Sequence, residues 1–165
     1  MTPPVEMNVF YTDAYKALNL EPLMYHSPGA CAMDLHAVAF DVNGERVSKA
    51  TMQIPVRGTV TFWTGIHIAL PVGYGAEIIT RSSMGWNRGL TLSNSVGLID
   101  SDFRGELRVK LINLSSETQE IALGERAAQL IVRQYPQVSL QTVDSIEALG
   151  TTERGSDGFG STGRF

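Results

Sequence analysis

The sequence predicts an all-β fold, and three observations support this. Glycine and proline, 16 and 7 of the 165 residues, divide the chain into short segments, as in folds built from many short strands. Polar and apolar residues alternate strictly over 106–111 (ELRVKL), which is the pattern of a strand with one buried face. Residues 59–63 (TVTFW) are all β-branched or aromatic, and such residues favour strands.

Other short segments extend the predicted sheet. Short apolar or β-branched runs predict further strands at 66–70, 77–80 and 129–132. The first of these ends at a proline, and a glycine-rich turn separates it from the second. Asn43-Gly44 is a strong signal for a tight β-hairpin turn.

Helix is scarce, and the end of the chain differs in composition. Residues 13–18 can form one or two turns with Thr12 or Asp13 as N-cap, and 143–149 are a weaker candidate. The last twelve residues contain four glycines and few packing side chains, and glycine carries a large ordering cost. We therefore place one β-barrel domain over residues 1–148 and a flexible C-terminal arm over 149–165.

The composition excludes several classes of protein. The net charge is -4, with 13 basic and 17 acidic residues, which argues against a dedicated nucleic-acid-binding protein. A single cysteine, Cys31, allows neither an intrachain disulfide nor a zinc site built from several thiolates. The sequence shows no secretory signal and no apolar run long enough to cross a membrane. We expect a cytoplasmic protein that binds neither membrane nor nucleic acid.

Two segments offer groups that bind phosphate. Arg81, Ser82 and Ser83 combine a guanidinium fork with two hydroxyls, which suits phosphate oxygens; the alternative is a solvated turn. Gln129 heads an apolar strand, where a buried amide needs a polar partner; the alternative is an edge position that faces water.

A candidate general base lies within residues 94–106, where hydrophobic stretches flank a polar cluster and suggest a hairpin with a functional tip. Asp100 follows Leu98 and Ile99 at the end of an apolar strand, and partial desolvation there would raise its basicity. Such a carboxylate can activate a water molecule. The alternative is that Asp100 and Asp102 cap a turn.

The C-terminal arm carries groups suited to an anionic, aromatic ligand. Arg154 supplies charge, Ser161 and Thr162 supply hydroxyls, and the glycines let backbone N–H groups approach an anion. Phe159 has no nearby core to join, so it is a candidate for stacking on a base. The alternatives are a disordered terminus and a tail that docks on a neighbouring subunit.

One carboxylate is a candidate for holding a metal ion. Asp34 lies in an apolar stretch and could hold a hydrated metal ion through water, although such residues more often make structural hydrogen bonds. His26, His36 and His67 lack the spacing of metal ligands, and we interpret them as surface or packing residues.

Five of these stretches, in order, resemble the motifs of the trimeric dUTPase family. They are residues 30–37, 81–90, 94–106, 124–132 and 154–163. The third and fifth, which contain GLIDSDFRGE and RGSDGFGSTG, are the most specific. The resemblance implies a jelly-roll-like distorted β-barrel of the β-clip type. It also implies a homotrimer with active sites at subunit junctions, each closed by the C-terminal arm of a neighbour.

The implied activity is dUTP diphosphatase, which hydrolyses dUTP to dUMP and pyrophosphate. The resemblance makes Asp100 the base for the water that attacks the α-phosphorus, with Gln129 near the α-phosphate. It implies Mg²⁺ held by triphosphate oxygens and waters, with Asp34 reaching the ion only through water. The remaining implied roles concern substrate binding. Phosphates are held by Arg81, Ser82, Ser83, Arg154, Ser161 and Thr162; the nucleoside is held by Asn94, Leu98, Ile99, Phe103, Arg108 and Phe159.

This chain departs from the family pattern in three places. The mildest is Ala32, where the first motif usually has glycine. Phe103 stands where the family usually has tyrosine under the deoxyribose, and we expect sugar discrimination to be largely retained. Residues 38–56 form a longer segment than is typical, which leaves an extra hairpin and a partner surface as open alternatives.

Two rival functions share this fold. The related dCTP deaminases carry a catalytic glutamate at the position of Lys110, counted from Gly105, so deamination is disfavoured. A regulatory nucleotide-binding β-trimer without turnover is disfavoured by the presence of Asp100, Gln129 and the arm. The family has viral and phage members. If this protein is encoded by a virus or phage, we expect it in the cytoplasm of the host cell.

Overall fold

The computed structural model describes residues 5–158, and these residues are mostly β. Within them the strands are β1 Asn8–Tyr11, β2 Met33–His36, β3 Ala39–Val42, β4 Glu45–Val47, β5 Thr51–Ile54, β6 Thr59–Trp63, β7 Ile66–Ala69, β8 Tyr74–Thr80, β9 Leu90–Leu92, β10 Gly97–Ile99, β11 Arg108–Asn113, β12 Gln119–Ala122 and β13 Arg126–Gln134. The helices are α1 Asp13–Ala17 and α2 Ser82–Arg88, with a 3-10 helix at Glu147–Leu149.

Two antiparallel sheets dominate the described part of the chain. One has the order β10-β8-β13-β2 and the other the order β4-β3-β6-β11-β9, with small two-stranded sheets β1-β7 and β12-β5 beside them. Chain connections cross repeatedly between the sheets, which gives the jelly-roll-like arrangement. The apolar core is built from both, and its largest fully buried side chains include Phe40, Phe62, Leu35, Leu111 and Leu130. Each such side chain stabilises the fold by about 1.5–3 kcal/mol when removed from water.

The strands predicted by periodicity are confirmed. Strand β6 coincides with the β-rich run 59–63, and β11 continues the alternating run to Asn113 with buried and exposed positions in alternation. The hydroxyl of Thr12 caps α1 by accepting a hydrogen bond from the backbone N–H of Tyr15 at 3.3 Å. The turn at Asn43 and Gly44 joins β3 to β4, and both residues have the positive φ that this hairpin turn requires (55° and 86°).

Three local expectations are corrected. Helix α2 forms where no helix was predicted, because buried Met84 packs into the core and Gly89 ends the helix with φ 63°. Residues 143–149 form only the short 3-10 helix. The strands around 94–106 do not pair as a hairpin, since β10 pairs with β8 whereas β9 and β11 pair in the other sheet.

The segment 38–56 contains the extra hairpin, β3–β4, which forms one edge of the five-stranded sheet; β5 follows and pairs with β12.

No helix among residues 5–158 combines the length and apolarity needed to span a membrane. After β13 the described chain forms no further strand, and residues 136–157 are exposed. The domain boundary at residue 148 stays a prediction.

Candidate functional site

The predicted phosphate-binding residues gather around one buried carboxylate. Strand β13 pairs with β2 so that Gln129 lies opposite Asp34, and Arg81 follows the end of β8 on the other side of β13. Arg126 begins β13. We call Asp34, Arg81, Arg126 and Gln129 the arginine cluster.

Short contacts fix the arginine cluster. Asp34 is only 7% exposed. Its carboxylate accepts a hydrogen bond from Gln129 Nε2 at 3.1 Å, and it lies 3.1 Å from Arg81 Nε and 3.5 Å from Arg126 Nη1. Arg81 Nη1 also donates to the backbone carbonyl of Arg126 at 2.9 Å. The half-buried amide of Gln129 therefore has a polar partner, and its strand lies inside the sheet, so the alternative of an edge position is wrong.

The cluster offers hydrogen-bond donors that suit an anion. The guanidinium groups of Arg81 and Arg126 lie around the Asp34 carboxylate, and Arg126 Nη2 also lies 3.5 Å from Glu21 Oε2, so the charges nearly balance. The Arg81 side chain is 29% exposed, and Ser82 and Ser83 beside it at the start of α2 are exposed. These groups offer charged and neutral donors to phosphate oxygens.

The histidines behave as surface or packing residues, as expected. His36 is buried beside the cluster, and burial, followed by the positive charge of Arg126, lowers its pKa below 6.5. His26 Nε2 lies 3.9 Å from the Asp34 carboxylate, and His67 Nδ1 lies 2.9 Å from the carbonyl oxygen of Arg104. Among the described residues, no three His, Cys, Asp or Glu side chains gather closely enough to hold a metal ion directly.

The predicted base and nucleoside residues lie in two adjoining clefts. The Asn94 cleft, of about 450 Å³, has Asn94, Leu98 and Arg108 among its lining residues. The Asp100 cleft, of about 310 Å³, is lined by residues that include Asp100 and Phe103. Leu98, Ile99 and Arg108 are shared by both clefts, so the structure brings this predicted set together.

Phe103 and Arg108 have defined supports within the clefts. The Phe103 ring packs against Gly105, where an added Cβ would come within 2.5 Å of the ring. The Arg108 guanidinium lies over the indole of Trp63, 4.6 Å from the ring centroid. Both side chains are exposed on the outward side and can contact a ligand.

Asp100 is exposed in the single chain, and Leu98 before it is 60% exposed. The desolvation expected at Asp100 is therefore absent in one chain, because β10 is an edge strand with open space beyond it. A further cavity of about 540 Å³ adjoins Asp100 on the side of Tyr135.

The arginine cluster and the Asp100 cleft lie at opposite ends of β8. Arg81 follows Thr80, whereas Ile99 pairs with Ala76, which places Asp100 beside Gly75. Arg81 lies six positions after Gly75, and strands rise about 3.3 Å per residue, so the two ends are roughly 20 Å apart. One chain therefore does not bring Asp100 to the arginine cluster.

The arm does not reach either group of residues where the structure describes it. Arg154 Nε donates to the backbone carbonyl of Asp157 at 2.8 Å, and both residues are exposed. Phe159, Ser161 and Thr162 lie outside the described residues, so their roles stay predictions. Arg126 was not among the predicted site residues, although it stands only three residues before Gln129.

Comparison with known sequences finds a matching family model and similar curated proteins. The family model described as dUTPase matches residues 36–163. The deoxyuridine 5'-triphosphate nucleotidohydrolase of Corynebacterium jeikeium is 48% identical over 101 residues, covering 61% of this chain and 65% of that protein. The enzyme of the same name from Wolinella succinogenes is 38% identical over 140 residues, covering 85% of each.

Comparison with solved structures gives the same fold. The Staphylococcus bacteriophage 80alpha dUTPase with dUPNHPP has a TM-score of 0.74 at 19% identity, covering 96% of this chain and 99% of that one. A mutant dUTPase from phage phi11 of S. aureus, described with a structural Mg(II) ion, has a TM-score of 0.69 at 15% identity, covering 86% and 99%. These likenesses confirm the predicted jelly-roll-like fold.

Proposed function

The chain belongs to the dUTPase family, and from this premise we propose that it hydrolyses dUTP to dUMP and pyrophosphate. The observation that carries the proposal is that one chain presents both the arginine cluster, with guanidinium N–H donors, and the clefts lined by the predicted base and nucleoside residues. The arginine cluster binds the triphosphate, and the clefts bind the nucleoside.

In this reaction the Asp100 carboxylate accepts a proton from a water molecule as that water attacks the α-phosphorus. The α-phosphorus–oxygen bond to the β-phosphate breaks, pyrophosphate leaves, and the oxygen from water remains in dUMP. Arg81, Ser82 and Ser83 hold the phosphates, and Gln129 orients the α-phosphate. Catalysis comes from positioning and electrostatic stabilisation, without a covalent intermediate.

A complete site requires more than one copy of the chain. The separation of roughly 20 Å along β8 is too great for Asp100 and the arginine cluster of one chain to act on adjacent atoms of one substrate. In a homotrimer, the Asp100 cleft of one chain faces the arginine cluster of another. The neighbouring chain also covers Leu98 and the Asp100 carboxylate, which supplies the desolvation that the single chain lacks.

Mg²⁺ fits this site only through its own waters and the substrate. Asp34 is the carboxylate nearest the phosphate-binding groups, and its oxygens are already engaged by two arginines and Gln129. Asp34 would hold a hydrated ion through that ion's waters, because Mg²⁺ commonly keeps several waters. When bound, the ion would neutralise phosphate charge.

The nucleoside side of the site explains base and sugar selection. Backbone groups around Asn94, Leu98 and Ile99 read the uracil edge, and a wrong base leaves buried polar groups unpaired. Phe103 lies under the deoxyribose and leaves no room for a 2′-hydroxyl. From the arm of a neighbour, Phe159 stacks on uracil. The groups of the arm that bind the γ-phosphate are Arg154, Ser161 and Thr162.

One assay separates this function from its rivals. Purified protein with Mg²⁺ is given dUTP and dCTP, and pyrophosphate and ammonia are measured. We expect pyrophosphate from dUTP and no ammonia from dCTP, since Lys110 stands at the deaminase glutamate position on β11. Binding of dUTP without release of pyrophosphate would instead indicate a regulatory trimer.

A variant pair tests the base. Asp100→Asn should lose at least about a hundredfold in kcat, in the range of general-base contributions, while still binding dUTP. Asp102→Asn is the matched control, because it removes an exposed carboxylate two residues away, and its rate should stay close to wild type. In water enriched in heavy oxygen, the label should enter dUMP; label in pyrophosphate would place the attack elsewhere.

A further inference from the structure

The β3–β4 hairpin contacts the loop that carries the proposed nucleoside-binding residues. Arg46, on β4, lies opposite Asp41 in the hairpin. Its side chain extends across the sheet, and Arg46 Nη1 lies 2.5 Å from Glu106 Oε2. Glu106 immediately follows Gly105, against which Phe103 packs, and lines the Asp100 cleft. A residue of the long segment 38–56 thus meets the active-site loop 60 residues later in the chain.

The face of the sheet explains how Arg46 reaches so far. Side chains alternate between the two faces of a strand, so Arg46, Ala39, Trp63 and Arg108 share the outer face. Ala39 pairs with Trp63, and its small methyl group leaves a path for the long Arg46 side chain. The Arg46 guanidinium lies 5.2 Å from the Trp63 ring centroid, over the same indole that supports Arg108.

Glu106 needs this contact because its carboxylate is nearly buried. Its side chain is 8% exposed, and among the described residues its hydrogen-bond donors are Arg46 and the backbone N–H of Gly65, the latter at 2.6 Å. A buried carboxylate that loses its counter-ion carries a large desolvation cost and tends to turn towards water. Such a movement would release Glu106 from Gly65 and shift the neighbouring loop.

We propose that Arg46 is a positioning residue for substrate binding: through Glu106 and Trp63 it fixes the loop that presents Phe103 and the guanidinium of Arg108. This inference rests on the proposed function, because it assigns those two groups to the nucleoside of dUTP. The segment 38–56 thereby acquires a role in the nucleoside-binding clefts that its own chain contributes to an active site. Phe103 and Arg108 would contact the nucleoside equally in the ground state and the transition state, so their displacement should change KM more than kcat.

The test compares Arg46→Gln with Lys49→Gln in the full-length protein. Both variants remove one positive charge from the segment 38–56, but Lys49 is exposed and carries neither a hydrogen bond nor an ion pair among the described residues. Arg46→Gln should raise the KM for dUTP about tenfold, as expected for loss of a charged hydrogen bond, and leave kcat within about threefold. Lys49→Gln should leave both within about twofold.

Two further variants keep the test decisive if Arg46→Gln folds poorly. Arg46→Lys keeps the charge facing Glu106 but loses the planar stack on Trp63, so its KM should lie between those of wild type and Arg46→Gln. Glu106→Gln should raise KM to a similar extent, and combining it with Arg46→Gln should add little, because both act through one contact.

Each outcome has a distinct meaning. A KM for Arg46→Gln no different from that of Lys49→Gln, or additive effects of the Arg46 and Glu106 changes, overturns the inference. A fall in kcat without a change in KM also overturns it. If the wild-type protein released no pyrophosphate from dUTP, the proposed function would fail. If the wild-type rate were normal and the KM of Arg46→Gln were unaltered, only the role of Arg46 would fail.

Discussion

Neutralising Asp34 should destabilise the fold, since this carboxylate joins three strands of the four-stranded sheet. Asp34→Asn keeps the shape of the side chain but replaces the charged carboxylate with a neutral amide, in which one acceptor oxygen becomes an NH2 donor. In the folded chain the carboxylate is 7% exposed and lies at 3.1 Å from Arg81 Nε, at 3.5 Å from Arg126 Nη1 and at 3.1 Å from Gln129 Nε2. The substitution leaves two guanidinium groups facing each other without their shared counter-ion.

The size of the loss in unfolding free energy follows from the burial of Asp34 and of its two arginine partners. Breaking a fully buried ion pair costs about 3–5 kcal/mol. Here the Arg81 and Arg126 side chains are 29% and 41% exposed, so water replaces part of the lost interaction. We therefore expect a loss of about 2 kcal/mol, at the level of one hydrogen bond to a charged group. For a domain of this size, that lowers Tm by about 4–8 °C.

Thermal unfolding followed by circular dichroism at pH 7 measures this loss. The control is Asp13→Asn, whose carboxylate is fully exposed and pairs with Lys16 at 3.5 Å on the surface of α1. That change should shift Tm by less than about 2 °C. Equal shifts for the two variants would refute the argument that the Asp34 network is a buried, stabilising centre.

Three other predictions address stability, the Phe103 loop and the arm. Burial, with smaller contributions from Tyr11 and Glu21, raises the pKa of Tyr15 to about 12, so this residue stabilises the fold below pH 10 and loses that effect as pH rises above 10. Urea unfolding of Tyr15→Phe between pH 10 and about 11.5 should show a shallower loss of stability than wild type, and identical slopes would contradict the assignment. Gly105→Ala should raise the KM for dUTP, because its Cβ would lie 2.5 Å from the Phe103 ring; an unchanged KM would show that the ring is not needed there. Truncation after Thr152 should leave an oligomer of normal mass by light scattering but reduce activity at least about tenfold, and full activity would refute the role of the arm as a lid.

The sheets could be predicted from local sequence, since their signals are local. Alternation along 106–111 and the β-rich run 59–63 each correspond to a strand, and Asn43-Gly44 alone predicts the turn between β3 and β4. Helix α2 could not be predicted in this way. It contains Gly85 and is only seven residues long, so packing of Met84 and not helix propensity decides its conformation.

The candidate site was predictable as a set of residues but not as an arrangement. The motifs supplied Asp100, Arg81 and Gln129, yet nothing in a linear pattern shows that Asp100 and Arg81 lie at opposite ends of β8. The desolvation expected at Asp100 was wrong for one chain for the same reason, since burial depends on neighbours that sequence does not show. Arg46 was missed because its partner, Glu106, is brought close only by the folding of the sheet.

The central claim is that Asp100 of one chain and the arginine cluster of another form each active site. The test uses two inactive variants, Asp100→Asn and Arg81→Gln. They are mixed, unfolded together and then refolded, so that mixed oligomers form. If each site draws these groups from different chains, random assembly at equal ratio gives about one quarter of sites with both groups intact, and about one quarter of wild-type activity returns. If both groups belong to one chain, no mixture contains an intact site, and an activity no higher than that of the separate variants would contradict the account.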